Sequence, residues 1–481
     1  MQNSLSDSTL SSLPTNILRP KYDRSRTAIG IAHIGPGAFH RAHQAAYFDS
    51  LLERDPRWAI SAIALRSTGV RDALAPQDGL YSLAELSAQG SIRVIGAIRE
   101  LLVGSEQMDA AFARLCAPET QIVTLTVTEK GYCLDAQGKL QMSHPDIQRD
   151  LQSPRMPVST VGWLVEALRR RRAQGSAPFI VISCDNLMDN GRALRRALID
   201  YAQALEPPLA RFIESEVICP RTMVDSITPA TDDALRTSVN GALGLIDAWP
   251  VQREAFTQWV IEASAALNGI DLASVGVTLA KDVSVYDRAK LRLVNGAHST
   301  LAYLGSLRGR ETVFDAINDA PLARFVEKLM REDLGPSLGN PQGFDVNRYI
   351  DAILERYRNP AVRHLLSQIA WDGTKKLPVR IIATALQLIG ENKDVRRLAW
   401  PIAAWMRFVV RQAKAGVPIV DPEAARLAEI GSASTGDFEH DLPRFSAIET
   451  VFPAALVQHP GYRAALADAY RALSDPNALP A

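Results

Sequence analysis

The chain reads as an α/β protein in two parts, a parallel-sheet domain followed by a mostly α-helical one. Three observations predict this. An apolar run, a glycine turn, a helix-spaced stretch and a second apolar run follow one another between residues 27 and 65. Further short apolar runs recur as far as Ser183. From Tyr286 onward they give way to long stretches with helical periodicity. A length of 481 residues is consistent with two or three domains.

The elements follow in order. Residues 1–26 are polar and Ser-rich without an apolar stretch, so they predict a loose arm and not a signal peptide. Residues 27–285 form the predicted sheet domain. Thr27 to Gly35 (TAIGIAHIG) is a buried strand, Ala38 to Glu53 a helix, and Trp58 to Leu65 (WAISAIAL) the next strand. YSLAEL and IRVIGAI, around Leu80 to Ile98, predict a hairpin or meander. Gln121 to Val127 and Pro178 to Ser183 predict central parallel strands. The helix between them, Ser159 to Arg172, ends in four arginines, read as a solvated last turn favoured by the helix dipole. Leu209 to Val217 and Val251 to Ala266 also read as helical. Residues 286–481 form the predicted helical domain, with stretches such as KLRLVNGAHSTLAYLGSL and RLAWPIAAWMRFVVRQA.

Composition excludes several classes. Lys plus Arg and Asp plus Glu are both 53, and a chain without a basic surplus is not expected to bind nucleic acid. Nor has it an electrostatic reason to sit on an anionic membrane. The longest apolar run of the C-terminal third, Leu398 to Met406, is too short to span a bilayer. Cys116, Cys133, Cys184 and Cys219 are widely spaced, a pattern of reduced thiols that predicts a cytoplasmic location. Monomer and small homo-oligomer both stay open.

Four stretches could carry chemistry. Gly35-Pro-Gly37-Ala38-Phe39-His40 lies between a predicted strand and helix, where two glycines let the backbone approach a pyrophosphate. His40 stands where the usual fingerprint has its third glycine, so a plain βα turn is the alternative. After the second strand comes Leu65-Arg66-Ser67-Thr68, with no carboxylate for a ribose; Arg66 would suit a 2′-phosphate or simply cap the strand. Asn186, in Ser183-Cys-Asp-Asn186, would aim an N–H into a crevice at a strand end or form an Asx-turn capping the next helix. On a helical wheel His298 lies about 60° from Asn295 and about 80° from Lys290, with Lys290 and Asn295 about 140° apart. That face either lines a polar cleft or faces solvent. His40 and His43 are three residues apart, but no further cluster with zinc spacing accompanies them, so no metal site is expected.

Several motifs occur together and in order: GPGAFHRAHQAAY (Gly35 to Tyr47), TVTEKGYC (Thr126 to Cys133), SCDN (Ser183 to Asn186), MVDSITP (Met223 to Pro229), FTQWVIE (Phe256 to Glu262), KLRLVNGAHS (Lys290 to Ser299) and DGTKKLP (Asp372 to Pro378). On these the chain closely resembles the long-chain mannitol dehydrogenase family, which includes mannitol 2-dehydrogenase and fructuronate reductase. The likeness runs from about Gly30 through nearly the whole chain. It implies a metal-independent NAD(P)-dependent oxidoreductase with an N-terminal Rossmann-like, doubly wound domain and a helical C-terminal domain. NAD is the expected cofactor, with NADP not excluded.

The resemblance places the catalytic lysine on Lys290, two carbonyl-polarising asparagines on Asn186 and Asn295, and a histidine on His298. Such a lysine must have its pKa brought from ~10.4 to roughly 7–8, which burial would do. Glu129 on the cofactor side and Asp225 on the substrate side match polar positions of the family's motifs and are expected to assist. Gln368 stands where mannitol-type members carry arginine, and with TEKGYC it points to the fructuronate reductase branch. Lys376 and Arg380 would then pair with a sugar-acid carboxylate. Asp287 replaces a usual glutamate and Ala255 a usual proline. The expected reaction is the interconversion of D-mannonate and D-fructuronate. The alternatives are mannitol or arabinitol 2-dehydrogenation and, more remotely, a non-catalytic dinucleotide sensor.

Overall fold

The computed structural model describes residues 3–480 except 88, 136 and 340–342. The chain divides into two compact units, Met1–Ser284 and Val285–Ala481.

The first unit is built on five parallel strands: β1 (Ile31–Ile34), β2 (Ile60–Ala64), β5 (Ile98–Val103), β6 (Ile122–Leu125) and β7 (Ile180–Ser183), in the order β5-β2-β1-β6-β7. Successive residues face opposite sides of a strand. Ala32 and Ile34 accordingly join one hydrophobic core with Phe112, Trp163 and Leu198, and Ile31 joins another with Phe48, Trp58 and Trp259. Strand order reverses beside β1, so the chain leaves β1 and β6 on opposite sides of a crevice, the switch point at which open α/β sheets take ligands. β3 (Tyr81–Leu86) and β4 (Ser91–Ile95) pair antiparallel as the expected hairpin, and β9 (Val251–Glu254) joins β3. A third small sheet joins β8 (Thr222–Asp225), β10 (Gln258–Glu262) and β11 (Thr278–Ala280).

Several expectations are corrected. Val251–Ala266 is not one helix; only its last two residues enter a short 3-10 turn, Ala265–Leu267. Val251–Glu254 and Gln258–Glu262 are strands, because pairing with β3 and β8 satisfies their backbone and buries Trp259 and Ile261. Pro178–Ser183 supplies β7 at the end of the strand order, outside β6. The predicted loose arm is packed: Leu5, Leu13 and Ile17 are buried with Val94, Leu235 and Val239, and buried Arg24 donates to the carbonyls of Gly96 and Ile98. The four-arginine run is not uniformly solvated. Arg171 is buried and donates to the carbonyls of Leu115, Ala117, Thr120 and Ala177, while Arg169 and Arg170 clasp Glu166. The predicted helix after β1 breaks into α1 (Ala38–Ala42) and α2 (Gln44–Leu52) at His43.

The second unit is helical around one large core, with the Arg396–Lys414 helix at its centre. Three of its segments, Lys290–Asn295, Leu329–Leu334 and Pro378–Ile382, are π-helical turns. Among the described residues, no helix is long and apolar enough to cross a membrane. All four cysteines are free and buried.

Candidate functional site

In the first unit the site is made by strand ends. Gly35 follows β1 with φ +91°, and a Cβ there would lie 2.4 Å from the Thr126 carbonyl oxygen. Only glycine permits that approach. The turn is fastened on all sides: the Gly35 N–H donates to Ile63 at 3.0 Å, and its carbonyl accepts from the Gly37 N–H at 2.7 Å and the Thr126 hydroxyl at 2.7 Å. Beneath it His33 bonds Thr124 at 2.7 Å and Thr126 at 3.0 Å and stacks on the buried His40 ring, 3.3 Å between centroids. Burial holds both imidazoles neutral, His33 at about 3 and His40 well below its ordinary range.

Two cavities of about 720 Å³ each adjoin this turn and share Gly37, Ala38, Thr126, Thr128 and Lys130. The first is walled by Gly35, Arg66, Asp146 and Trp249, the second by Phe39, Glu129, Asn186 and Val224. The structure thus brings Gly35, Gly37, Ala38, Phe39, Arg66, Glu129 and Asn186 to one edge of the sheet. Asp225 ends β8, buried, next to Val224.

Sequence reasoning passed over Asp185. Its carboxylate accepts from the backbone N–H of Val127 at 3.0 Å, the N–H of Thr128 at 2.9 Å and the Tyr132 hydroxyl at 2.6 Å. It therefore pins the Thr126–Glu129 loop, where Thr128 is held at φ +67°, to the end of β7 beside Asn186. Burial pushes the Asp185 carboxyl up while these donors pull it down. Asn190 was missed as well: its amide binds the Ser183 and Asp185 carbonyls and both the N–H and hydroxyl of Thr222. The following helix starts at Asn190 with Asp189 as its N-cap, so Asn186 does not cap it. A short polar residue in a strand–turn–helix junction was the available signal, and SCDN carried it.

In the second unit Lys290, Asn295 and His298 lie on one continuous helical run: Ser284–Ala289, the π turn Lys290–Asn295, then Gly296–Leu307. The wheel angles drawn at α-helical spacing do not hold here. An i→i+5 turn stacks Lys290 below Asn295, about one turn on, instead of swinging them apart. Lys290 and Asn295 are half-buried and His298 is buried, its Nε2 without a hydrogen-bond partner. Gly296 ends the π turn where a Cβ would sit 3.2 Å from the Arg380 carbonyl oxygen, so the π turns of 290–295 and 378–382 meet backbone to backbone.

Around His298 stand His364, its ring 5.1 Å away, and Tyr357, at 4.7 Å, whose hydroxyl donates to the Val294 carbonyl. The His364 Nδ1 is buried without a partner. Burial, with Lys376, Arg380 and Arg356 nearby, lowers His364 to about 4 and holds His298 well below its usual value. Arg380 donates to the Ser299 hydroxyl at 3.1 Å and Lys376 to the Ile369 carbonyl at 3.3 Å. Burial lowers both cations, and for Lys376 Arg380 adds to the effect. Gln368 stands exposed on the short helix Leu366–Ile369.

Residues 29–272 match the mannitol dehydrogenase Rossmann domain and residues 282–474 the mannitol dehydrogenase C-terminal domain. The chain is 38% identical over 477 residues to D-mannonate oxidoreductase of Escherichia coli K12, covering 97% of each. It is also 38% identical to mannitol 2-dehydrogenase of Aspergillus fumigatus, covering 87% of this chain and 86% of that one. Among solved structures, the ternary complex of Pseudomonas fluorescens mannitol 2-dehydrogenase with NAD and D-mannitol superposes with a TM-score of 0.83 at 36% identity, covering 98% and 97%. With both halves matched in order and relatives of this identity along nearly its whole length, the chain belongs to the mannitol dehydrogenase family of oxidoreductases.

Proposed function

We propose that the protein is an NAD-dependent oxidoreductase that interconverts the secondary alcohol of a sugar acid, D-mannonate, with its keto form, D-fructuronate. The observation that carries the acid reading is the cation pair of the helical unit. Lys376 and Arg380 are both partly buried, and their hydrogen-bond partners among the described residues are neutral: the Ile369 carbonyl for Lys376, and the Asn295 carbonyl and Ser299 hydroxyl for Arg380. Asp372 and Asp421 act on Lys376 from a distance, but among the described residues neither cation has a directly paired carboxylate, and a bound substrate carboxylate would offset the cost of their burial. The neighbouring imidazoles are neutral, so His298 and His364 can each offer a ring nitrogen to substrate hydroxyls.

The Gly35–Phe39 turn and its two cavities suit a dinucleotide, because a backbone held open by Gly35 admits a pyrophosphate. Bound there, NAD supplies hydride acceptance. Lys290 in its neutral form takes the hydroxyl proton, and Asn186 and Asn295 donate N–H groups to the oxygen as it gains charge. The second reading, a neutral polyol such as mannitol, is favoured by the equal 38% identity to a mannitol 2-dehydrogenase.

The test is turnover on D-mannonate, D-mannitol and D-arabinitol, followed by absorbance of reduced cofactor, in wild type and Lys376→Ala. The expected result is preference for mannonate and a KM raised roughly 10- to 100-fold in the variant, the loss of a charge-assisted pair worth about 1.5–3 kcal/mol. Efficient mannitol oxidation unaffected by Lys376→Ala would replace the acid with the polyol.

A further inference from the structure

β2 ends without the carboxylate that commonly holds the ribose of NAD, and Arg66 stands there instead. The structure supplies an acid from elsewhere in the chain. Asp146, in the first turn of the Pro145–Gln152 helix, reaches the same cavity and forms an ion pair with Arg66, Nη2 to Oδ2 at 2.6 Å. The next guanidinium along, Arg71, is held by Asp72 and Glu106. Arg66 is therefore the cation at the end of β2 that a 2′-phosphate would recruit, and Asp146 already occupies it.

We infer that the Arg66–Asp146 pair is the cofactor selector of this chain. With NAD the pair stays closed. With NADP the 2′-phosphate competes with Asp146 for the guanidinium and lies against a like charge. The preference for NAD thus rests on a residue some eighty positions downstream of the usual acid. The inference depends on reading this cavity as the dinucleotide site.

The experiment is direct titration of the whole protein with NADH and NADPH, read by the cofactor's own fluorescence and by calorimetry, without turnover. Wild type is expected to bind NADH several-fold more tightly than NADPH. Asp146→Asn, which removes the charge and keeps the shape, is expected to move the affinity ratio toward NADPH by about tenfold. Asp146→Asn combined with Arg66→Ala is expected to lose that gain, and a thermal melt of each variant reports that it is folded. Binding of both cofactors with a ratio that Asp146→Asn leaves within twofold overturns the selector alone, as does a wild type that prefers NADPH. Binding of neither cofactor to wild type overturns the oxidoreductase reading along with it.

Discussion

The two units present their polar groups by opposite means. In Met1–Ser284 the working surface is mainly backbone: the Gly35 turn and the Thr126–Glu129 loop at the ends of β1 and β6, fixed by Asp185. In Val285–Ala481 it is mainly side chain: Lys290, Asn295 and His298 projected from a helix that loosens into a π turn, with Lys376 and Arg380 projected from a run that does the same. A backbone site demands one residue of a special kind at one position. A side-chain site demands that a whole helix be rotated correctly, and here that rotation is set by π turns packed against each other.

That contrast predicts that the two units fail differently. Lys290→Ala should lower turnover on the order of a thousandfold while NADH still binds to the first unit, because only the proposed proton acceptor is lost. Equal loss of NADH affinity by fluorescence titration would contradict the division of labour. Gly35→Ala should do the reverse. The left-handed backbone costs about 1–3 kcal/mol for a non-glycine residue, and a contact of 2.4 Å with a carbonyl oxygen adds to it. Both NADH affinity and melting temperature should fall, and an unchanged titration would show that the turn does not carry the cofactor.

Asp185→Asn removes the charge from three hydrogen bonds and should cost about 1–3 kcal/mol, measured by urea unfolding. Because it loosens the Val127–Thr128 backbone beside Asn186, kcat should fall with it.

A further effect concerns pH and involves both units. His33 and His364 have folded pKa values of about 3 and about 4, below an unfolded value of 6.5. Between those limits the unfolded chain binds more protons, so stability falls as pH drops through 6.5, toward about 4 for His364 and about 3 for His33. Melting temperature should therefore decline on acidification below neutrality. His364→Gln should flatten part of that decline, and a parallel slope would show that His364 is not titrating on unfolding.

Much of the first unit was legible because its signals are local. A β-rich apolar run, a glycine where φ must be positive and a polar residue at a strand end are each readable within a few positions, as Gly35 and Asn186 show. The misreadings came where partners are distant. Val251–Glu254 became a strand because β3 needed a neighbour, and Arg171 was drawn inside because carbonyls more than fifty residues upstream needed a donor.

The residues expected to carry an alcohol–ketone interconversion were implied by the family resemblance; the patterning of the sequence itself determined the two-part architecture, the βα turn at Gly35 and the helical character of the C-terminal half. Those follow from backbone sterics and hydrophobic periodicity, which act over one or two turns of chain. Only the tertiary structure decided that Lys290 and Asn295 share a helix face, that Asp185 holds Thr128 and that Asp146 meets Arg66. An i→i+5 turn has no residue signature, and an ion pair between residues eighty positions apart exists only after the sheet has brought its strand ends together.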